Sequence, residues 1–355
     1  MTARLAGSRL LRLLVVLAAL AGVGAALWWR GPDWGTVGDA FEAVHWWWVV
    51  GAIGINLFSI LSRSIAWKLV IDQAMPPPRP GYPLTFSAFC VGLLANAVLP
   101  GRIGELARVA VLNRRMPRRS GAWATLVGTV FAHRVFDLVP VMGLILFVLA
   151  TAKIPAWAFS SLIAIVAIGI GLFVFAFLSA SYHSRSRLDG LGTVKRLVTM
   201  ARHGLGVMHR PAPAAGAIAF QFGGWICQLF AVYTAMRAFD IHASLPAAGL
   251  VLLVMNVVTI IPLWPGNVGA VQAAIALPLR SYGVAYGTGV AFGFGLQAIE
   301  ASVGIGVGLL FLAREGLSFA ALRRMPAAAE AHVPKGSSPG SVGGEVGREG
   351  ARVPG

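Results

Sequence analysis

The sequence predicts an all-α protein that threads repeatedly through a membrane, with about six full transmembrane helices and two oppositely oriented re-entrant helical hairpins. Three observations carry that prediction. Of the 355 residues, 57% are hydrophobic and only 12% are charged, with a mean hydropathy of +0.76, too apolar for a soluble domain. Several apolar runs are long enough to span hydrocarbon. Two further apolar stretches stop at a proline–glycine cluster and resume as a shorter helical stretch. The net charge of +16 does not indicate nucleic acid, because no soluble basic domain with aromatic or helical readout accompanies it.

In chain order, a basic cytoplasmic segment at residues 1–12 carries Arg4, Arg9 and Arg12, and the first span follows at about Leu13 to Trp29. It reads as an uncleaved anchor, since no clean small-residue cleavage site follows it. Full spans are expected at about Trp46 to Trp67, Ala122 to Ala150, Pro155 to Ser179, Pro213 to Met236 and Ala285 to Ala313. The interrupted stretches run from about Tyr82 to Pro100 and from Leu245 to Pro262. The membrane domain occupies 13–315. A tail over 316–355, whose last thirty residues or so are rich in Gly, Pro, Ser and Glu, lacks apolar periodicity and is expected to be mostly disordered.

Positive charge orients these elements. With both termini cytoplasmic and each interrupted stretch entering and leaving by one side, 22 of the 29 Lys and Arg fall on cytoplasmic segments. A full crossing at either interrupted stretch would place its neighbouring loops on the wrong side. Hence Tyr82 to Leu112 is expected to dip in from the cytoplasm and Leu245 to Leu279 from outside, in an inner or plasma membrane. The basic segment between Ala180 and Pro211 suits an anionic inner leaflet. Cys90 and Cys227 both lie in apolar runs, so no disulfide is expected.

The two interruptions resemble each other. "LPGRIGEL" contains Pro100, Gly101 and Gly104, "WPGNVGAV" contains Pro265, Gly266 and Gly269, and an Asn precedes each, Asn96 and Asn256. Three full spans separate them, and an odd number inverts the second copy, giving a pseudo-two-fold inverted repeat with broken helices. The alternative is a pair of ordinary helix breaks. Proline ends the incoming helix, the first glycine permits the turn, and the second lets the next helix begin close to a neighbour. That aims a helix amino terminus, suited to phosphate or carboxylate, at the interior.

Ionisable residues at membrane depth are rare and usually line a path or pair with one another. Arg102, Glu105 and Arg108 share a face after the first tip, and the third full span carries His133, Arg134 and Asp137 in "FAHRVFDLV". Arg63 and Glu300 are secondary candidates in other spans, each with a bland alternative as an interfacial or structural residue. Gly289, Gly293, Gly304 and Gly308 form a small-residue stripe for packing within the monomer, with a homodimer seam as its second use. No metal spacing, nucleotide-binding loop or catalytic motif is present, so neither cofactor nor enzymatic activity is expected.

The ordered set "NAVLPGRIGELARVAVLNRR", "HRVFDLV", "IIPLWPGNVGAVQAAI" and "YGV" resembles the lysylphosphatidylglycerol synthase transmembrane region family of flippase-like integral membrane proteins, over roughly residues 10 to 315. The chain looks like a stand-alone member without the soluble synthase domain. The resemblance implies movement of a phosphate-bearing lipid, glycolipid or aminoacyl-phospholipid between leaflets, and by position it puts Arg102, Glu105, Arg108, Arg134 and Asp137 at the substrate. His133 departs from the family's frequent glutamate at that place, and Asn267 and Ala270 stand in the second tip where Arg102 and Glu105 stand in the first. Two other readings remain: an intramembrane lipid-modifying transferase, and a non-transporting scaffold whose partner is a lipid-synthesising enzyme of the cell envelope.

Overall fold

The computed structural model describes residues 32–99, 103–117, 122–154, 211–259 and 265–316, together with positions 167 and 171. The predicted anchor at Leu13 to Trp29, nearly all of the span at Pro155 to Ser179, the basic segment up to Pro211, the tail beyond Gly316, and Pro100, Gly101 and Arg102 lie outside the described residues. Among those described, every regular element is a helix.

Four helices are long and apolar enough to cross a membrane: α2 (Trp46–Ala74), α5 (Ala122–Thr151), α6 (Pro211–Ala238) and α9 (Tyr286–Arg314). They hold 28 to 30 residues each, and at a rise of about 1.5 Å per residue this exceeds the ~30 Å hydrocarbon core. At most 39% of any of their apolar windows is buried. Phe58, Leu146, Ile226, Phe230 and Leu310 therefore face outward, a surface that suits lipid and not water. The chain is a multi-pass membrane protein.

Helix α2 continues seven residues past the expected end at Trp67 because Lys68 and Asp72 pair one turn apart, so these charges need not terminate the span. Pro76, Pro77 and Pro78 follow its end, where a helix cannot be continued. A short helix not expected from the sequence, α1 (Trp34–Glu42), starts at Asp33, whose side chain accepts from the Gly35 amide and the Thr36 hydroxyl. Those two bonds hold the Asp33 carboxyl below the usual range, the Thr36 hydroxyl first. Trp34, Trp46, Trp47 and Trp48 are exposed around it, an aromatic cluster of the kind found at a membrane interface.

Each interrupted stretch is a pair of helices: α3 (Tyr82–Val98) with α4 (Gly104–Arg115), and α7 (Leu245–Val258) with α8 (Ala270–Leu279). A single 3₁₀ turn at Pro265–Asn267 precedes α8 and approaches α3.

Helices α2 and α6 form the central antiparallel pair. Gly51 lies against Thr234 and Gly216 against Leu69, while the Ser59 hydroxyl donates to the Gly224 carbonyl (2.8 Å) and that of Ser62 to the Phe220 carbonyl (2.6 Å). A Cβ on Gly224 would meet the Arg63 side chain at 2.5 Å, so this glycine makes room for the arginine. Helix α9 packs against both broken pairs through its glycine stripe. Cβ atoms built on Gly289 and Gly293 would meet Ala276 at 2.9 Å and Gln272 at 3.0 Å, and one on Gly308 would meet Leu94 at 2.4 Å. Three of the four stripe glycines thus serve packing within the chain, and Gly304 faces open space.

Candidate functional site

Charged and polar side chains from α2, α4, α5, α6 and α9 converge around Arg63, where α2 meets α6. Asp137 on α5 is the hub. Its Oδ1 accepts from Gln221 Nε2 (2.8 Å), Trp225 Nε1 (3.0 Å) and Arg63 Nη2 (3.3 Å), and its Oδ2 accepts from Arg134 Nη1 (3.1 Å). One carboxylate therefore ties α2 and α6 to α5, with donors on both of its oxygens. His133 is held as well: its Nε2 lies 3.1 Å from the Arg63 carbonyl and its ring meets Phe89 edge-on.

Glu105, in the first turn of α4, makes close ion pairs with Arg108 on its own helix and with Arg134 on α5. Arg134 thereby bridges two carboxylates while half of its side chain stays exposed. Arg108 is different. Only 4% exposed, it lies 4.5 Å over the ring of Trp67 and 5.5 Å from that of Phe89, a packing that compensates a desolvated guanidinium in part. Its Nη2 faces the Glu105 carboxylate, but its Nε has no hydrogen-bond acceptor among the described residues, and neither has Arg63 Nε. Buried donors without acceptors are costly, so these mark where a ligand's oxygens would fit.

These donors border a cavity of about 170 Å³. Arg63, Glu105, Arg108, Arg134, Gln228 and Glu300 line it, with Asn96 and Gly304 at its wall. Gln228 links the two sides: its Oε1 accepts from Arg63 Nη1 and its Nε2 donates to Glu300 Oε1, both at 3.4 Å. The volume is on the scale of a phosphate with adjoining head-group atoms, not of a whole lipid.

The tips differ from the sequence expectation in one respect. At the first, Asn96 Oδ1 accepts from the Gly104 amide at 2.9 Å. At the second, Gln272 Oε1 accepts from the Gly269 amide at 2.6 Å, and Gln272 in turn donates to Gln297 at 2.7 Å. Each resumed helix thus has a leading amide capped by a side chain, and Glu105 already places a carboxylate at the positive end of α4. An anion is better served by the arginines than by these helix ends. Close approach does govern Gly104, where a Cβ would meet the Gly92 carbonyl at 2.0 Å. Turn conformation governs Gly266 and Gly269, at φ of 71° and 90°. Asn256 bonds back to the Leu252 carbonyl within its own helix. Pro265 opens the 3₁₀ turn.

The structure therefore brings Arg63, Glu105, Arg108, His133, Arg134, Asp137 and Glu300 into one cluster. Sequence reading passed over Trp67, Phe89, Gln221, Trp225 and Gln228. The three α6 residues carried a signal, since Gln221, Trp225 and Gln228 recur at helical spacing on one face of an otherwise apolar span. Trp67 and Phe89 carried none. No group of three metal-ligating side chains occurs among the described residues, and Cys90 and Cys227 are both free thiols.

Residues 10–308 match the model of the family described as lysylphosphatidylglycerol synthase TM region, and the chain belongs to that family. No curated protein and no solved structure matches it significantly.

Proposed function

For this member of the lysylphosphatidylglycerol synthase transmembrane-region family, we propose a lipid transporter or flippase that moves a phosphate-bearing lipid between leaflets, with the head group in the charged cavity and the acyl chains left in the bilayer. The observation that carries this reading is the buried Arg108, stacked on Trp67 and lining the cavity, whose Nε has no acceptor among the described residues. Phosphate oxygens match a planar guanidinium. The half-exposed Arg134 marks the entrance. The acid–base alternative is less well supported, since Asp137 has four donors on its two oxygens.

The inverted repeat belongs to the same proposal. Exchanging α2–α5 with α6–α9 maps the helix pairings onto one another: α2 with α3 onto α6 with α7, α4 with α5 onto α8 with α9, and α5 with α7 onto α9 with α3. The exchange also maps the α2–α6 pair onto itself, and an antiparallel self-pair is what a two-fold axis in the membrane plane requires. Arg63 and Gln228, each the eighteenth residue of its helix, touch across that axis at 3.4 Å. Two oppositely directed hairpins around a central polar cluster would give alternating access by rocking one repeat against the other.

The test is leaflet transfer of a fluorescent phospholipid in reconstituted vesicles, read by an impermeant quencher. Arg108→Met keeps side-chain length and leaves Glu105 paired with Arg134. It is expected to fold and to lose most of the transfer, with Arg108→Lys intermediate because it lacks the planar donor set. Wild-type transfer no faster than in protein-free vesicles, or full transfer by Arg108→Met, would overturn the proposal.

A further inference from the structure

Among the three carboxylates of the cluster, charge pairing is uneven. Glu105 pairs with Arg108 and Arg134, and Asp137 pairs with Arg63 and Arg134. Among the described residues Glu300 has no ion pair; its hydrogen-bond partner is the neutral Gln228 amide at 3.4 Å. It nevertheless lines the same cavity, about 21 Å along α9 from Tyr286 at the helical rise.

Among the described residues, no element packed against α9 offers Glu300 a cation of its own. Helix α2 supplies Arg63, which is already committed to Asp137 and Gln228. Helix α6 offers the Gln228 amide, and α8 meets α9 through Gln272 and Gln297, also neutral. Helix α3 offers Asn96 at the cavity wall. The acids of α1 lie at the far end, where Thr36 meets Gly287. Across the cavity, Arg108 and Arg134 serve Glu105 and Asp137, and His133 is bonded to a backbone carbonyl.

The cluster's charge count then depends on one proton. Among the described residues, Arg63, Arg108 and Arg134 face the two ion-paired carboxylates Glu105 and Asp137, leaving one positive charge in surplus. An ionised Glu300 cancels the surplus, and a protonated one leaves it for an incoming anion. A carboxylate buried without a cation is stable only with a proton or another counter-charge.

We propose that Glu300 is a proton-binding site coupled to the cavity, taking up a proton as a phosphodiester monoanion enters, so that anion and proton occupy the protein together. This rests on the head-group reading of the cavity and names its coupling ion. In Glu300's neutral form the carboxyl still bonds Gln228, while the free donors of Arg63 and Arg108 receive the phosphodiester oxygens. By reciprocity, whatever affinity the anion gains from the proton, the proton gains from the anion. The arrangement is electroneutral and would let a pH difference across the membrane drive an anionic lipid.

The experiment uses the purified full chain in detergent, titrated with the water-soluble phosphodiester glycerophosphoglycerol in weakly buffered solution at mildly acidic and mildly alkaline pH. An indicator dye reads protons and isothermal calorimetry reads binding. At the alkaline pH wild type is expected to take up close to one proton per phosphodiester, with uptake fading at the acidic pH where Glu300 already holds its proton, and to bind about tenfold more weakly for each pH unit above the Glu300 titration. Glu300→Gln, which mimics the protonated acid, is expected to bind equally well at both pH values with no proton uptake. Infrared difference spectra should show the carbonyl stretch of a protonated carboxylic acid in wild type that Glu300→Gln lacks. Binding by wild type at the alkaline pH without proton uptake, or the same uptake by Glu300→Gln, overturns the role of Glu300 and leaves the head-group reading standing. Failure of both proteins to bind at either pH overturns the head-group reading and this inference with it.

Discussion

Replacing Asp137 tests whether the cluster is held by one carboxylate. Asp137→Asn keeps an oxygen able to accept from Gln221 and Trp225, but it removes the charge facing Arg63 and turns an amide NH₂ toward Arg134, which donates to Oδ2 at 3.1 Å in the native protein. Removing one partner of a buried ion pair costs about 3–5 kcal/mol. The exposed half of Arg134 allows its guanidinium to turn toward water and to Glu105, so the penalty falls mainly on Arg63 and sits at the lower end, about 3 kcal/mol. Asp137→Ala additionally strands the Gln221 and Trp225 donors, adding about 1–3 kcal/mol for each. Equilibrium unfolding in mixed micelles should therefore rank wild type above Asn and Asn above Ala, with gaps of this order. An Asp137→Asn protein within about 1 kcal/mol of wild type would refute the reasoning, because the hub would then not anchor α2 to α5.

Three further outcomes are expected. Gly104→Ala should destabilise the α3–α4 pair, since its Cβ would meet the Gly92 carbonyl at 2.0 Å, whereas Gly269→Ala meets nothing within 4 Å and should lose only the cost of its φ of 90°, about 1–2 kcal/mol; thermal unfolding of both variants measures the contrast. Glu315 accepts from Ser87 (2.7 Å) and Arg115 (3.0 Å), so Glu315→Ala should loosen the start of α3 and the end of α4 and raise amide hydrogen exchange there without altering exchange in α7 and α8. Cysteines placed at Ser120 and Ser244 should be labelled from opposite sides of the membrane, and labelling from one side would remove the opposed-hairpin arrangement.

The membrane class, the four described spans and the breaks after Val98 and Val258 were legible in the sequence because hydropathy, proline and glycine act within a few residues. The position of each charge along its helix was legible too, since helical rise converts residue number into distance. Helix α1 was missed because a nine-residue element with capping by Asp33 has too little apolar signal beside its neighbours.

Which charge meets which was decided by tertiary structure alone. In sequence, Asp137 belongs with Arg134 three residues away, yet it also takes Arg63, Gln221 and Trp225 from other helices, and Glu105 draws Arg134 across from α5. Glu300 looks like any other interior acid until its hydrogen-bond partner proves to be the neutral Gln228 amide, with Arg63 turned to Asp137. Local pattern fixes the face a residue occupies on its helix, but pairing follows from which faces are opposed. That is set by close approaches such as those at Gly224 and Gly308, between residues far apart in the chain, where the absence of a Cβ lets one helix seat against another and carries its charges to their partners.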